Sequence, residues 1–406
     1  MTTITRAPTN IMSHGHSTRQ IAHITEQNAR QMDIPLFDGI YRNKRVLVTG
    51  NTGFKGSWMT LWLSRLGAEV YGYSLAAPTT PSLFELLGLD SIANQQEADV
   101  LDLDKLTRVV REVRPDIIFH LAAQSLVRES YENPHETTQV NVMGSVNVLE
   151  AVRRTGIPAA VVMVTSDKCY LNKEWLHGYR ENDPLGGYDP YSASKGAAEV
   201  LIDSWRNSFF HPLAIDKHGV RVASVRAGNV IGGGDWAKDR IVPDCIRDLA
   251  STGVIGVRNP NATRPWQHVL EPLHGYMQLG AHLLETNNDN IASYCEAFNF
   301  GPNVSSNRSV DDLVQRIIVH WGSGVVRTAK PRTTRHEASL LNLSFDKAYH
   351  KLGWLPRWDF DTTVRHTVEW YAEWNKGNKS LMDFTLSQIS AYEDSEKKDT
   401  LQTQYL

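Results

Sequence analysis

The sequence predicts an α/β protein, a doubly wound parallel Rossmann sheet with a smaller, mainly C-terminal substrate-binding lobe. Three observations predict it. Short β-branched and aromatic runs alternate with amphipathic helical stretches from Lys44 to about Val225. A glycine-rich turn follows the first run and opens a helix, and beyond about Val230 the alternation gives way to short interrupted elements. Strands alternating with helices imply a parallel sheet covered on both faces.

The elements follow in order. Arg45-Val46-Leu47-Val48-Thr49 reads as a strand buried on both faces, ended at once by Gly50. Trp58, Leu61, Trp62 and Leu66 recur at helical spacing, and Gly67 terminates that helix. A second strand covers Glu69 to Tyr73, and later strands cover Asp116 to His120, Ala159 to Thr165 and Gly219 to Val225, each after a helical stretch. Helices are expected around Thr137 to Arg154 and Tyr191 to Ser208. The chain is thus divided into a flexible N-terminal extension (1–38), polar and rich in Gln, His and Thr, and a Rossmann domain (39–228). A substrate lobe (229–385), part of which returns to the Rossmann domain, precedes a C-terminal tail (386–406).

Composition excludes several classes of partner. The 42 basic side chains are balanced by 45 acidic ones, so no excess of cations exists for nucleic acid. Length and a hydrophobic fraction of 41% allow a large core. Three cysteines without CxxC spacing support neither a disulfide framework nor a thiolate zinc site. No histidine cluster converges with carboxylates, so no metal is expected. No apolar run approaches the roughly 20 residues that span a bilayer, and the N-terminus has no signal-peptide core. The expectation is a soluble cytoplasmic protein without a membrane partner.

Thr49-Gly50-Asn51-Thr52-Gly53-Phe54-Lys55-Gly56 has GxxGxxG spacing between the first strand and first helix. Glycines there allow a tight turn and close approach of backbone to a pyrophosphate, while the helix N-terminus offers N–H groups to the anion. Gly50, Thr52, Gly53, Phe54, Lys55 and Gly56 are therefore candidate cofactor-binding residues. At the end of the second strand, where an acidic residue commonly holds the adenosine ribose, the chain reads Tyr73-Ser74-Leu75. No arginine welcomes a 2′-phosphate there either, so NAD is favoured as cofactor. Asp99 and Val100, after the next strand, are placed to meet the adenine.

Tyr191-Ser192-Ala193-Ser194-Lys195 sets a phenol and an ammonium on one helix face. A cation there favours phenolate and lowers the tyrosine pKa, as removal of a hydroxyl proton near neutral pH requires.

Together with His120-Leu121-Ala122-Ala123-Gln124, these motifs make residues 40–380 resemble the extended short-chain dehydrogenase/reductase (NAD-dependent epimerase/dehydratase) family. Longer strings resemble the nucleotide-sugar 4,6-dehydratases, in the branch acting on CDP-glucose. They are Gly53-Phe54-Lys55-Gly56-Ser57-Trp58, Thr165-Ser166-Asp167-Lys168-Cys169-Tyr170, the stretch from Arg226 to Trp236, and Ala262-Thr263-Arg264-Pro265-Trp266-Gln267-His268. The resemblance implies bound NAD, a CDP-glucose substrate, and a homodimer or dimer of dimers paired through the two helices named above. It implies oxidation at C4, loss of water across C5 and C6, and return of the hydride to C6, giving CDP-4-dehydro-6-deoxy-D-glucose for deoxysugar biosynthesis. Ser166, Asp167, Lys168, Tyr191 and Lys195 are then the catalytic candidates. Ala122 and Ala123 join the cofactor site, and Gln124, Asn229, Arg240 and Arg264 the substrate site, with Trp236 and Trp266 bordering the cytosine pocket. Lys168 stands where relatives carry the glutamate assigned as C5 base. It serves as base only as a free amine; otherwise it stabilises the enolate and another group, such as Tyr191, takes the proton. A 4-epimerase, which needs no acid–base pair for C5 and C6, and a non-catalytic nucleotide sensor are the competing readings.

Overall fold

The computed structural model describes residues 36–285, 290–328 and 340–403. The chain divides into two units, Met1–Gly39 and Ile40–Leu406. Of the first, only Leu36–Gly39 is described, a single 3₁₀ turn, so the extension expected at 1–38 lies almost wholly outside the described residues.

The second unit is organised by a seven-stranded sheet. Its first strand, β1 (Arg45–Thr49), has the bounds the sequence predicts, and Val46, Leu47 and Val48 are fully buried, as a two-sided strand requires. Helix α1 (Phe54–Arg65) leads to β2 (Glu69–Ser74), and β3 (Asn94–Glu97) closes that edge. Helix α2 (Leu103–Val113) then precedes β4 (Ile117–His120). The helix expected around Thr137 to Arg154 is interrupted: Pro134–Thr138 passes through a π turn at Gln139–Met143 into α3 (Gly144–Thr155). The widened turn carries Asn141, whose Nδ2 reaches Gln124 O at 3.0 Å and Ser194 Oγ at 2.9 Å. Strand β5 (Ala160–Val164), helix α4 (Pro190–Ser208) and strand β6 (Arg221–Ala227) complete the alternation.

The remaining elements form the lobe and return to the sheet. Strand β7 (Val230–Ile231) precedes α5 (Ile241–Ser251), β8 (Val254–Val257), β9 (Thr263–Pro265) and β10 (Gln267–His268). Helix α6 (Leu270–Leu284) lies back on the sheet, where a Cβ at Gly280 would come within 2.8 Å of Ile117 and 2.9 Å of Phe119. Strand β11 (Ala297–Phe300) adds to the sheet edge, and β12 (Asn307–Ser309), α7 (Val310–Trp321) and β13 (Val325–Thr328) follow. The small pairs β10–β7 and β13–β8 are parallel, while β12–β9 is antiparallel.

Residues 386–395, read from the sequence as a tail, belong to helix α9 (Leu381–Thr403), which follows α8 (Phe360–Asn375). Ile389 and Tyr392 are fully buried. Glu393 accepts Trp62 Nε1 at 2.8 Å and pairs with Arg65 at 3.0 Å, so α9 covers the far face of α1. That second cover explains why Trp58, Leu61, Trp62 and Leu63 are all buried around α1.

The sheet order is β11-β6-β5-β4-β1-β2-β3, all parallel. The strand order reverses between β1 and β4, and the crevice outside their carboxyl ends is the expected ligand position in such a sheet. Among the described residues no helix is long and apolar enough to cross a membrane, and no His, Cys, Asp and Glu side chains group as metal ligands.

Candidate active site

A cleft of about 2120 Å³ opens at this switch point, and every site residue predicted from the sequence lines it. At one end the chain is backbone. Gly50 follows β1 with φ of 74°, and a Cβ there would stand 2.6 Å from Ala122 N, so the two loops after β1 and β4 meet only because position 50 is glycine. A Cβ at Gly56 would lie 2.1 Å from Gly50 O, so the third glycine lets the helix turn back on the loop. Gly53 caps α1 without a side-chain hydrogen bond, leaving first-turn N–H groups for an anion. Glycine cradle and uncapped helix end fit a dinucleotide pyrophosphate.

The end of β2 is polar but uncharged. Ser74 Oγ donates to Asn51 Oδ1 at 2.8 Å, Asn51 Nδ2 to Gln95 Oε1 at 2.6 Å, and Thr52 Oγ1 to Leu75 O at 3.0 Å. Asp99 turns one carboxylate oxygen to Leu101 N at 2.9 Å. Val100 is buried against Gly144, where a Cβ would come within 2.8 Å of its side chain. Ala122 and Ala123 line the cleft beside Gly50.

The other end is side chains. Ser166 caps the 3₁₀ turn Asp167–Cys169 after β5 and donates to Asp167 Oδ1 at 2.8 Å. Lys168 Nζ donates to the same oxygen at 3.2 Å. Asp167 is 1% exposed and its Oδ2 has no hydrogen-bond partner; Gly228 faces it, and a Cβ there would stand 2.7 Å away. Tyr191 sits in the first turn of α4, which Asp189 caps through Ser192 N at 2.9 Å.

Burial pushes the Tyr191 phenol up to about 12, while a hydrogen bond with Ser166 and the charge of Arg240 pull it down. The sequence assigned that downward pull to Lys195. In the structure Arg240 is the leading cation on the phenol, because the loop after Trp236 brings it across the cleft. Desolvation lowers Lys195 to about 8, opposed by Glu199 one turn along α4. Lys55 is lowered to about 7 by desolvation and by the charge of Arg240, with Asp167 opposing. Its Nζ stands 5.9 Å from the centroid of the Tyr276 ring.

Toward the lobe, Asn229 links β6 to β7 and its carbonyl accepts Gln267 N at 3.2 Å. Arg264 lies in β9 with Nη1 on Thr263 O at 2.8 Å. Arg240 is held by Asp235 and by Ser125 Oγ, both at 2.8 Å. Gln124 is engaged by protein on both sides of its amide: Nε2 reaches Leu126 O and Thr137 Oγ1, and Oε1 accepts Leu126 N at 2.5 Å. It braces the loop after β4, which the string His-Leu-Ala-Ala-Gln does not disclose. Trp236 packs 4.4 Å from Trp374 and 5.2 Å from Tyr371, and Trp266 Nε1 donates to Arg308 O; both are core residues that also border the cleft.

Sequence reasoning missed three features. Asn141 is placed by the π turn, which has no sequence signature. Arg258, at the end of β8, lines the cleft and meets Asp239 at 3.4 Å. Glu199 pairs with Arg226 beneath the site at 2.8 Å; its position four residues after Lys195, on a buried helix face, was the available signal.

The chain matches the family model for GDP-mannose 4,6 dehydratase over residues 47–367. It is 48% identical over 342 residues to the CDP-glucose 4,6-dehydratase of Salmonella typhimurium, covering 84% of this chain and 94% of that protein. Two solved structures share the fold. An epimerase of Methanothermobacter thermautotrophicus has a TM-score of 0.70 at 24% identity, covering 84% of this chain and 98% of that one. The dTDP-glucose 4,6-dehydratase DesIV of Streptomyces venezuelae, solved with NAD bound, has a TM-score of 0.67 at 22% identity, covering 83% and 99%. A glycine cradle at the switch point, a Tyr/Lys helix facing a Ser-Asp-Lys turn, and these likenesses lead to one conclusion: the chain belongs to the GDP-mannose 4,6 dehydratase family of extended short-chain dehydrogenases/reductases.

Proposed function

We propose that the protein converts CDP-D-glucose to CDP-4-dehydro-6-deoxy-D-glucose and water, with NAD as a cofactor regenerated in each cycle. The observation that carries this reading is the buried Asp167 carboxyl group, which lines the cleft beside Ser166 and Lys168 and keeps one oxygen without a hydrogen-bond partner. Oxidation at C4 alone needs no such acid; elimination of a C6 hydroxyl does.

NAD held at the Gly50–Gly56 loop would supply the hydride acceptor for C4 and the hydride donor for C6. Tyr191 takes the O4 proton while Ser166 hydrogen-bonds the same oxygen, and Lys195 and Arg240 supply the positive field that favours the phenolate. The C4 ketone acidifies C5–H, and Lys168, beside Asp167, is assigned to remove that proton. Asp167 donates a proton to the C6 hydroxyl as it leaves, and the returning hydride and a proton at C5 complete the product. Asn229 and Arg264 hold the diphosphate, where a guanidinium fork matches phosphate oxygens. The Gly50–Gly56 loop and α1 hold the cofactor pyrophosphate, and the neutral polar ends of β2 and β3 take its adenosine.

Three buried free thiols accord with a cytoplasmic setting. A homodimer is favoured by the face of α4 carrying Ala193, Ala197 and Val200, exposed small apolar residues one turn apart. The test is incubation of the pure protein with NAD and, separately, CDP-, dTDP-, GDP- and UDP-glucose. A keto-sugar lighter by one water from the CDP sugar is the expected product. Oxidation or C4 inversion without loss of water would overturn the reading.

A further inference from the structure

Glu199 lies beneath the candidate site and does not line the cleft. It is 3% exposed, and its carboxylate accepts hydrogen bonds from Thr165 Oγ1, from Ser224 Oγ at 2.8 Å and from Arg226 Nη2 at 2.8 Å. Each donor belongs to an element that delivers a cleft residue. Thr165 immediately precedes Ser166, and Ser224 and Arg226 lie on β6, which runs into Gly228 and Asn229. Glu199 itself is one turn from Lys195 and two from Tyr191 on α4. Arg226 extends the network to the Tyr170 hydroxyl at 2.6 Å, and Tyr170 follows the Asp167–Cys169 turn and reaches Asn299 Oδ1 at 2.8 Å.

Stability does not account for this pair. Two ionised groups 3% to 4% exposed lose their hydration, and replacing such a pair by apolar residues of similar volume is often neutral or stabilising. What an apolar replacement lacks is a fixed charge and a directional joint between helix and strands.

We propose that Glu199 is a positioning residue for the reaction: its carboxylate fixes the helix bearing Tyr191 and Lys195 against the strand ends bearing Ser166 and Asn229, and it sets a fixed negative charge one turn from Lys195. The catalytic half of this statement rests on the dehydratase reading above. The charged surroundings support it. Glu199 and Cys169 act on Lys195 from α4 and from the 3₁₀ turn. Lys55 and His120 feel the Lys195 charge, and His120, buried at the end of β4, is held neutral, its pKa lowered to about 3 by burial. Arg226 faces Glu199 from β6, and Arg206 and Cys169 feel its charge. Glu199 is thus the carboxylate acting most strongly on Lys195.

The experiment uses the full chain carrying ¹³Cε-lysine, with the Lys195 resonance assigned by its loss in Lys195→Met, and compares wild type with Glu199→Gln and with Glu199→Gln/Arg226→Met. The double variant leaves no unpaired buried arginine, so it tests the proposal even where the single variant does not fold. In the protein alone, the Lys195 midpoint should fall by about one pH unit or more in either variant. With CDP-glucose and NAD, kcat should fall about tenfold or more while KM changes less than about threefold, and the high-pH limb of kcat should move down with the Lys195 midpoint. An unchanged Lys195 midpoint overturns the proposal. So does a double variant that regains wild-type kcat along with its melting temperature, since Glu199 would then be merely structural. If wild-type protein leaves CDP-glucose untouched, the dehydratase reading fails by itself, and the lysine titration still decides whether Glu199 controls Lys195.

Discussion

The two ends of the cleft are built by opposite means. At the glycine-rich end, atoms approach because side chains are missing: Gly50 and Gly56 bring backbone to distances no Cβ would permit, and the polar neighbours at Asn51, Ser74 and Gln95 are neutral. At the other end, Ser166, Asp167, Lys168, Tyr191 and Lys195 are crowded over a second, wholly buried charge pair. The first end should respond most to added volume, and the second to a change in protonation.

Substitutions sharpen that contrast, beginning with the largest expected effect. Tyr191→Phe keeps the volume and removes one hydroxyl, so turnover should fall by about 10³-fold or more. CDP-glucose binding by calorimetry should stay near that of wild type, and weakened binding instead would mean that Tyr191 holds the sugar. Gly56→Ala adds volume without charge, 2.1 Å from the Gly50 carbonyl. It should cost about 3 kcal/mol in denaturant unfolding. Gly88→Ala, at φ 60° with nothing within 4 Å, should cost only about 1 kcal/mol. Equal losses would show that the close approach at Gly56 adds no cost of its own.

Lys168→Met should slow turnover by about 10²-fold, at the low end of general-base effects, while exchange of C5–H with deuterated solvent disappears. Asp167→Asn should give the reverse pattern, with C5 exchange continuing and elimination stalled. Persistent C5 exchange at the wild-type rate in Lys168→Met would pass the base to another group.

The smallest effect is on stability against pH in the protein alone. Lys55 is lowered from its ordinary 10.5 to about 7, so between those values the unfolded chain binds a proton the folded chain lacks. Stability from this group is therefore full above 10.5 and is lost as pH falls toward 7. Glu271, buried under α9 and raised from 4.5 to about 7, acts oppositely: its contribution is full below 4.5 and is lost as pH rises toward 7. Together they produce a shallow minimum near neutrality. Lys55→Met should raise Tm by a few degrees at pH 7 and leave it unchanged at pH 11, as measured by calorimetry; an equal rise at both values would point to packing.

Much of this was legible in the sequence, and the exceptions have causes. Val46 to Val48 announce a two-sided strand because burial on both faces demands an unbroken apolar run. Asn94-Gln95-Gln96-Glu97 announces nothing, since an edge strand is held by backbone hydrogen bonds and its side chains meet water. The cleft residues were legible as strings because glycine geometry and the i,i+4 spacing of Tyr191 and Lys195 are local. The partner of Lys195 was not, for Glu199 gains its meaning only when Thr165, Ser224 and Arg226 arrive from two strands. The leading cation on Tyr191 is likewise Arg240, from a loop 49 residues away in the chain. Helix α9 escaped because its apolar residues form no pronounced helical stripe, and its place is fixed by Glu393 meeting Trp62 and Arg65.

The clasp between Glu393 and Trp62 also sets a schedule for biosynthesis. The two residues are 331 positions apart, and at roughly 5–20 residues per second a ribosome needs about 15–65 s to pass from one to the other. During that interval α1, which carries the glycine loop, emerges without the helix that seals its outer face and leaves Trp62 without its carboxylate. The nucleotide loop is among the first elements made and among the last to gain its full support. A nascent chain halted before residue 393 should therefore hold NAD more weakly than the completed one.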